Sequence, residues 1–151
     1  MKKNPQKIIK FSDTGYYHFT IPVPPRTKKN HGQIIKVPVT LKNGKKSYRY
    51  SYISSKQYLA YSEAARYFIP TLKIDEPVNV KALYYMPTRQ TVDLINLHEA
   101  LHDIMVENNC IKNDDSRIIV STDGSRVLYD KENPRTEVYI ERIQDYQNPF
   151  E

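Results

Sequence analysis

Six acids lie between positions 93 and 115 (Asp93, Glu99, Asp103, Glu107, Asp114 and Asp115), against one base, Lys112. The chain as a whole is basic, with a formal net charge of +6. Between Asp13 and Glu63 there is no acid, and that window holds nine bases: Arg26, Lys28, Lys29, Lys36, Lys42, Lys45, Lys46, Arg49 and Lys56. One stretch attracts cations and the other attracts phosphate. Those are the two electrostatic needs of a metal-dependent enzyme that acts on nucleic acid.

The acids have plain structural readings as well. Asp93 precedes an amphipathic run, where Asp is a favoured helix N-cap. Glu99, Asp103 and Glu107 repeat at i, i+4, i+8, the pattern of a solvated acidic face. Asp93 and Asp103 stand about 15 Å apart along a straight helix, too far to share one ion. A metal site therefore needs one end of this helix plus a group from elsewhere. Asp114-Asp115 is the candidate, in the turn after the helix. Two carboxylates about 4 Å apart repel by about 4 kcal/mol at an effective dielectric near 20. A cation relieves that, and Mg²⁺ needs only one or two protein carboxylates. The expectation is that Asp93 and Asp114 converge on one Mg²⁺, with Asp115 or Glu99 assisting. The alternative is a polar turn in which an Asp caps local backbone.

"HEALH" (98–102) formally satisfies H-E-x-x-H. No third histidine follows His102, and only a carboxylate such as Glu132 is a conceivable third ligand. The polar face of a packed helix is the simpler reading. Cys110 is the only cysteine, so no intrachain disulfide forms, which fits a reducing cytosol. Its expected role is a small buried side chain.

These groups need elements to hold them. "YYHFTIPVPP" (16–25) alternates as a strand, with Tyr17, Phe19, Ile21 and Val23 on one face, stopped by Pro24-Pro25. "RTKKNHGQIIK" reads as a basic loop. "PVTLKNGKKSYRYSYIS" reads as a hairpin turning at Asn43-Gly44. Residues 54–68 carry Tyr58, Tyr61, Ala65 and Phe68 at helical spacing, with Ser54 or Ser55 as N-cap. Residues 77–87 read as a strand. Residues 94–109 form the clearest helix, with the stripe Leu94, Leu97, Leu101, Ile104 and Met105, ended by Asn108-Asn109. Short strands follow at 117–122 and 136–143, and the last residues read as a loose tail. Strands with two main helices, without regular βαβ alternation, give an α+β fold with a mixed sheet in a single domain. No apolar run is long enough to span a membrane, and no secretory signal follows the basic N-terminus.

The run "VDLINLHEALHDIMVENNCIKNDDSRIIV" (92–120) resembles the core of the RusA family of Holliday junction resolvases. That family shows an Asp-x-Asp-Asn start, a Lys three residues after the Asn, a helix Asp, and a later Asp-Asp pair. Asp93 matches the first Asp, Asn96 the Asn, Asp103 the helix Asp, and Asp114 the catalytic Asp of the later turn. "FTIPVPPRTKKN", "SYISSKQYLAYSEAA" and "GSRVLYDKENPRTEVYI" are similar to other parts of the family. The resemblance covers roughly residues 16–143, between an N-terminal extension (1–15) and a C-terminal tail (144–151). Two positions depart: Ile95 replaces the second Asp and Glu99 replaces the Lys.

The resemblance implies a homodimer that cuts branched DNA, a four-way junction, by phosphodiester hydrolysis, with one Mg²⁺ per subunit (Mn²⁺ as substitute) and no organic cofactor. Asp93, Asp114 and Glu99 are the implied catalytic groups. Asp93, Asp114 and Asp115 are the implied metal ligands, supported by Asn96 and Asp103. Arg26, Lys28, Lys29, Asn30, Lys45 and Lys46 are expected on DNA, with a second patch at Arg126, Lys131 and Arg135; Arg49 adds to the first. A cytoplasmic enzyme of phage or prophage origin is implied. Ile95 and Glu99 also motivate an alternative, a branched-DNA-binding module with impaired cleavage on the same scaffold. A basic assembly protein is the further alternative, and it predicts no preference for branched DNA.

Overall fold

The computed structural model describes residues 10–28, 33–53 and 55–150. Lys29, Asn30 and Ser54 lie outside the described residues. In chain order the elements are α1 (Phe11–Thr14), β1 (Tyr16–Ile21), β2 (Gln33–Thr40), β3 (Lys46–Ile53), α2 (Lys56–Ala65), β4 (Val78–Met86), α3 (Leu94–Glu107), β5 (Ile119–Ser121), β6 (Arg126–Tyr129) and β7 (Arg135–Arg142). The main sheet is mixed, as the sequence indicates. β7 lies between β1 and β4 and is antiparallel to both. The far edge of β4 is shared by two short parallel strands, β5 at Val78–Asn79 and β6 at Leu83–Met86. β2 and β3 form a separate two-stranded sheet.

β4 is the centre of the core. Val78, Val80, Ala82 and Tyr84 alternate with half-buried residues, so one face of the strand is fully covered. Phe19 and Ile21 of β1 and Val138 and Ile140 of β7 extend that face. Tyr58, Tyr61 and Ala65 of α2 and Leu97, Ala100, Leu101, Ile104 and Met105 of α3 complete the same cluster. Cys110 is buried there, and burial pushes its thiol up to about 12.

Ser55 is the N-cap of α2, accepting from Tyr58 N at 3.1 Å. The helix tightens to a 3₁₀ turn at Arg66–Phe68. Three residues per turn instead of 3.6 rotates Phe68 off the core face. It is 45% exposed, against the sequence expectation. The basic segment before the hairpin is strand from Gln33 onward. The strand expected at 117–122 shrinks to Ile119–Ser121, because Asp115 O accepts from both Ile118 N and Ile119 N and keeps a turn there. Among the described residues no helix is long and apolar enough to cross a membrane.

The two histidines of "HEALH" turn inward. His98 Nδ1 pairs with Tyr84 OH at 2.8 Å, and the His98 and His102 rings lie nearly parallel with centroids 5.4 Å apart. Both Nε2 atoms are buried without a hydrogen-bond partner. Burial, reinforced by His98, lowers the His102 pKa to about 4, while Asp103 opposes the shift. Burial lowers His98 too.

Both rings are neutral in the folded state at pH 7. The unfolded chain binds protons near pH 6.5 and the folded chain does not. Stability therefore falls as pH drops from about 6.5 towards 4, with His102 responsible for about 3 kcal/mol of the fall. Urea unfolding at pH 7, 6, 5 and 4.5 should show this slope, and His102→Phe should flatten it. A wild-type stability independent of pH over that window would contradict the buried neutral pair.

Candidate active site and nucleic-acid interface

Asp93 caps α3. One carboxylate oxygen accepts from Ile95 N at 2.9 Å and Asn96 N at 3.3 Å, and among the described residues the other accepts no hydrogen bond. The carboxylate is exposed. It follows a groove lined by Arg26, Ser55, Gln57, Thr88, Thr91 and Leu97, where the end of β4 meets the start of α3. Asn96 supplies backbone to the cap. Ile95, where the family carries a second carboxylate, is 73% exposed and offers no donor atom.

The acidic edge of α3 faces the basic loop after β1. Lys28 Nζ donates to Asp103 Oδ2 at 2.8 Å and sits 5.9 Å from the centre of the Tyr58 ring. That hydrogen bond raises the Lys28 pKa, with Glu107 adding attraction from the next turn. Lys28 ties the loop to α3, with its charge matched by Asp103. Glu99 occupies the turn between Asn96 and Asp103, half-buried.

The Asp114-Asp115 turn is also arranged differently. Asp114 is exposed, and its N–H donates to Asn113 Oδ1 at 2.8 Å. Asp115 is bound by Arg117: Nε donates to Oδ1 at 3.1 Å and the backbone N–H donates to Oδ1 at 3.0 Å. These bonds hold the Asp115 carboxyl below its usual range. The charge of Asp115 is matched by Arg117 within the chain, and the Asp114 carboxylate remains exposed beside it.

Asp93 and Asp114 stand at opposite ends of the protomer. Asp93 precedes α3, a 14-residue helix about 21 Å long. Asp114 lies beyond its far end. There Ile74 N donates to Cys110 O and Val78 N donates to Ile118 O, which ties this turn to the start of β4. Asp93 follows the end of β4, a nine-residue strand about 26 Å long. Within one chain these two carboxylates therefore stand far apart. Among the described residues no group of three or more His, Cys, Asp or Glu side chains is placed to hold a metal.

The second basic patch divides. Arg126 and Lys131 are exposed on β6 and the turn after it. Arg135 is not available: its Nε donates to Glu137 Oε1 at 2.8 Å, its Nη1 to Asp130 Oδ2 at 3.0 Å, and it stacks 3.8 Å from the centre of the Tyr85 ring. Glu137 also accepts from Thr20 and contacts His18, which lock β1, β7 and the β6–β7 turn together. Arg89 was missed by the sequence reading. It is exposed in the loop between β4 and Asp93, over the Tyr129 ring of β6 at 4.4 Å. Its signal was its place in "MPTRQT", just ahead of Asp93. Arg26, Arg89 and Lys131 therefore gather at the Asp93 end of β4. Lys45, Lys46 and Arg49 are exposed on the hairpin rooted beside the same groove, with Ser55 lining it two residues past Ile53.

A family model described as endodeoxyribonuclease RusA matches residues 22–141 of this chain. That range runs from the residue after β1 to the last residue but one of β7, with Asp93 and Asp114 both inside it. No curated protein matches the chain.

The cap and the charge of Asp93 separate by mutation. Asn caps a helix about as well as Asp, and Ala does not. Asp93→Ala should lower unfolding free energy by about 1 kcal/mol, and Asp93→Asn by only a few tenths. Denaturant titration of both variants checks this. An equal loss in the two would mean that the carboxylate charge, not the cap, stabilises α3.

Proposed function

The chain belongs to the RusA family of endodeoxyribonucleases, and on that premise we propose that it is a homodimer that resolves four-way DNA junctions by paired, Mg²⁺-dependent nicks. The observation that carries this reading is the exposed Asp93 carboxylate at a helix N-terminus, beside a groove, with Arg26, Arg89 and Lys131 at the same end of the fold. A hard carboxylate oxygen suits Mg²⁺, and Mn²⁺ takes the same donors. The cations and the helix N-terminus suit the phosphates. DNA as substrate goes with a cytoplasmic enzyme of a bacterial host, of phage or prophage origin.

In one protomer Asp93 and Asp114 lie at opposite ends of α3. A two-fold axis across the middle of the molecule exchanges those ends. Asp93 of one protomer would then meet the exposed Asp114 carboxylate of its partner, twice per dimer, and each pair would hold one ion. Asp93 and Asp114 would hold Mg²⁺ there, and the ion would supply polarisation of a phosphoryl oxygen and a more acidic attacking water. Asp93 and Asp114 hold and orient; neither attacks covalently. Asp115 would support Asp114 from its pairing with Arg117, and Glu99 would assist from α3. Two sites related by symmetry match two strands cut symmetrically.

The exposed Ile95, in place of a second carboxylate, favours the alternative of a branched-DNA-binding module with weak cleavage. A synthetic four-way junction incubated with the wild type, Asp93→Asn and Asp114→Asn, in Mg²⁺ and then Mn²⁺, separates the two. Paired symmetric nicks from the wild type, lowered at least a hundredfold in either variant, are expected. Tight junction binding without nicks in either metal would establish the binding module instead. No preference for the junction over linear duplex would sink both readings.

A further inference from the structure

The hairpin of β2 and β3 is unlike the rest of the molecule. No strand of the main sheet pairs with it, and none of its described side chains is buried. An isolated two-stranded hairpin is marginal in water, so one kept on the surface needs a use. Its register puts Tyr48, Tyr50 and Tyr52 opposite Pro38, Lys36 and Ile34, all on one face. The three rings are 67%, 71% and 55% exposed. Lys36 Nζ lies 6.0 Å from the centres of both the Tyr48 and Tyr50 rings. Three aromatic side chains in a row on an open strand are costly to leave in water without a partner.

The charge of the hairpin says what that partner is. From Gln33 to Ile53 there is no acid, and the bases are Lys36, Lys42, Lys45, Lys46 and Arg49. None of the five makes an ion pair among the described residues. An apolar protein partner matches the rings and leaves these cations unmatched. A polyanion with flat faces matches both. Successive tyrosines on a strand are about 6.6 Å apart, close to twice the 3.4 Å rise per base of a stacked strand, so each ring meets a base only where the bases are unstacked. Aromatic faces on an open sheet beside cations are the general platform for unpaired bases.

We propose that the hairpin Gln33–Ile53 is a DNA-contacting arm whose Tyr48, Tyr50 and Tyr52 face stacks on unpaired bases at the branch, while Lys42, Lys45 and Lys46 at its tip hold the flanking phosphates. Its root beside the Asp93 groove puts the arm next to the strand to be cut. The assignment rests on the proposed nuclease function for its DNA partner, and it names the feature of the DNA that is read: unpaired bases rather than duplex.

The test compares Tyr48→Leu/Tyr50→Leu/Tyr52→Leu with the matching triple Phe variant. Leu keeps apolar bulk and removes the ring; Phe keeps the ring. The core is untouched by either. Affinity is measured for a single-stranded oligonucleotide, a linear duplex and a four-way junction carrying 2-aminopurine at the crossover, with self-association followed by sedimentation. The triple Leu variant should lose about tenfold for each base engaged on the single strand and the junction, lose the 2-aminopurine signal, and keep its duplex affinity. The triple Phe variant should match the wild type. Unchanged single-strand and junction affinity in the Leu variant would overturn the proposal. So would a loss of self-association with DNA affinity intact, since the face would then be a contact between copies. A wild type that makes no paired nicks, with the Leu variant still losing single-strand affinity, would retire the resolvase reading and leave the arm standing.

Discussion

β4 sets the dimensions of everything else. Its alternation of Val78, Val80, Ala82 and Tyr84 with half-buried residues gives the sheet one dry face, and α2 and α3 lie in the core formed there. Its length fixes the distance between the two acidic turns, because Asp93 follows its end and the Asp114 turn is bonded to its start. β6 pairs with its last residues and brings Lys131 and the Tyr129 platform for Arg89 to the Asp93 end. β5 pairs with its first residues and holds the Asp114 turn at the other. Shortening or breaking this strand would move both carboxylates at once.

Charge counted along the sequence overstates what is free to act. Lys28 and Arg135 look like phosphate contacts in the sequence, yet each is matched by carboxylate, Lys28 by Asp103 and Arg135 by Glu137 and Asp130; Arg117 is matched by Asp115 in the same way. These pairs hold a loop, a turn and the β6–β7 corner in place. Being partly exposed, they are worth more as geometry than as stability. Once they are removed from the count, unmatched cations cluster around the Asp93 groove and on the hairpin arm, and among the described residues Lys10, Lys73 and Lys81 stand without an ion pair elsewhere. Much of the charge read in the sequence is thus matched within the fold, and what gathers free of carboxylates is greatest at the Asp93 end and on the arm.

Local signals were legible. The Asp93 and Ser55 caps, the α3 stripe, the Asn43-Gly44 hairpin and the β1, β4 and β7 strands follow from residue chemistry over a few neighbours. The misses are long-range or depend on geometry finer than periodicity. Phe68 keeps helical spacing in the sequence, but the chain switches to a tighter turn before it. β6 is too short and exposed to announce itself, and exists through pairing with β4. The separation of Asp93 and Asp114 within a chain is set by β4 and α3 together, which a charge pattern does not encode. The same separation makes sense of a two-fold dimer, where opposite ends become neighbours.

Mixing two inactive variants tests that account most directly. Asp93→Asn and Asp114→Asn protomers are purified, shown to be inactive alone, then unfolded together and refolded to form mixed dimers. If each site is built from Asp93 of one protomer and Asp114 of its partner, a mixed dimer regains one intact site and lacks the other. Nicking of a four-way junction should reappear as single, unpaired cuts. A mixture as inactive as its components, with mixed dimers verified by mass, would place both carboxylates' work within one chain and contradict the account.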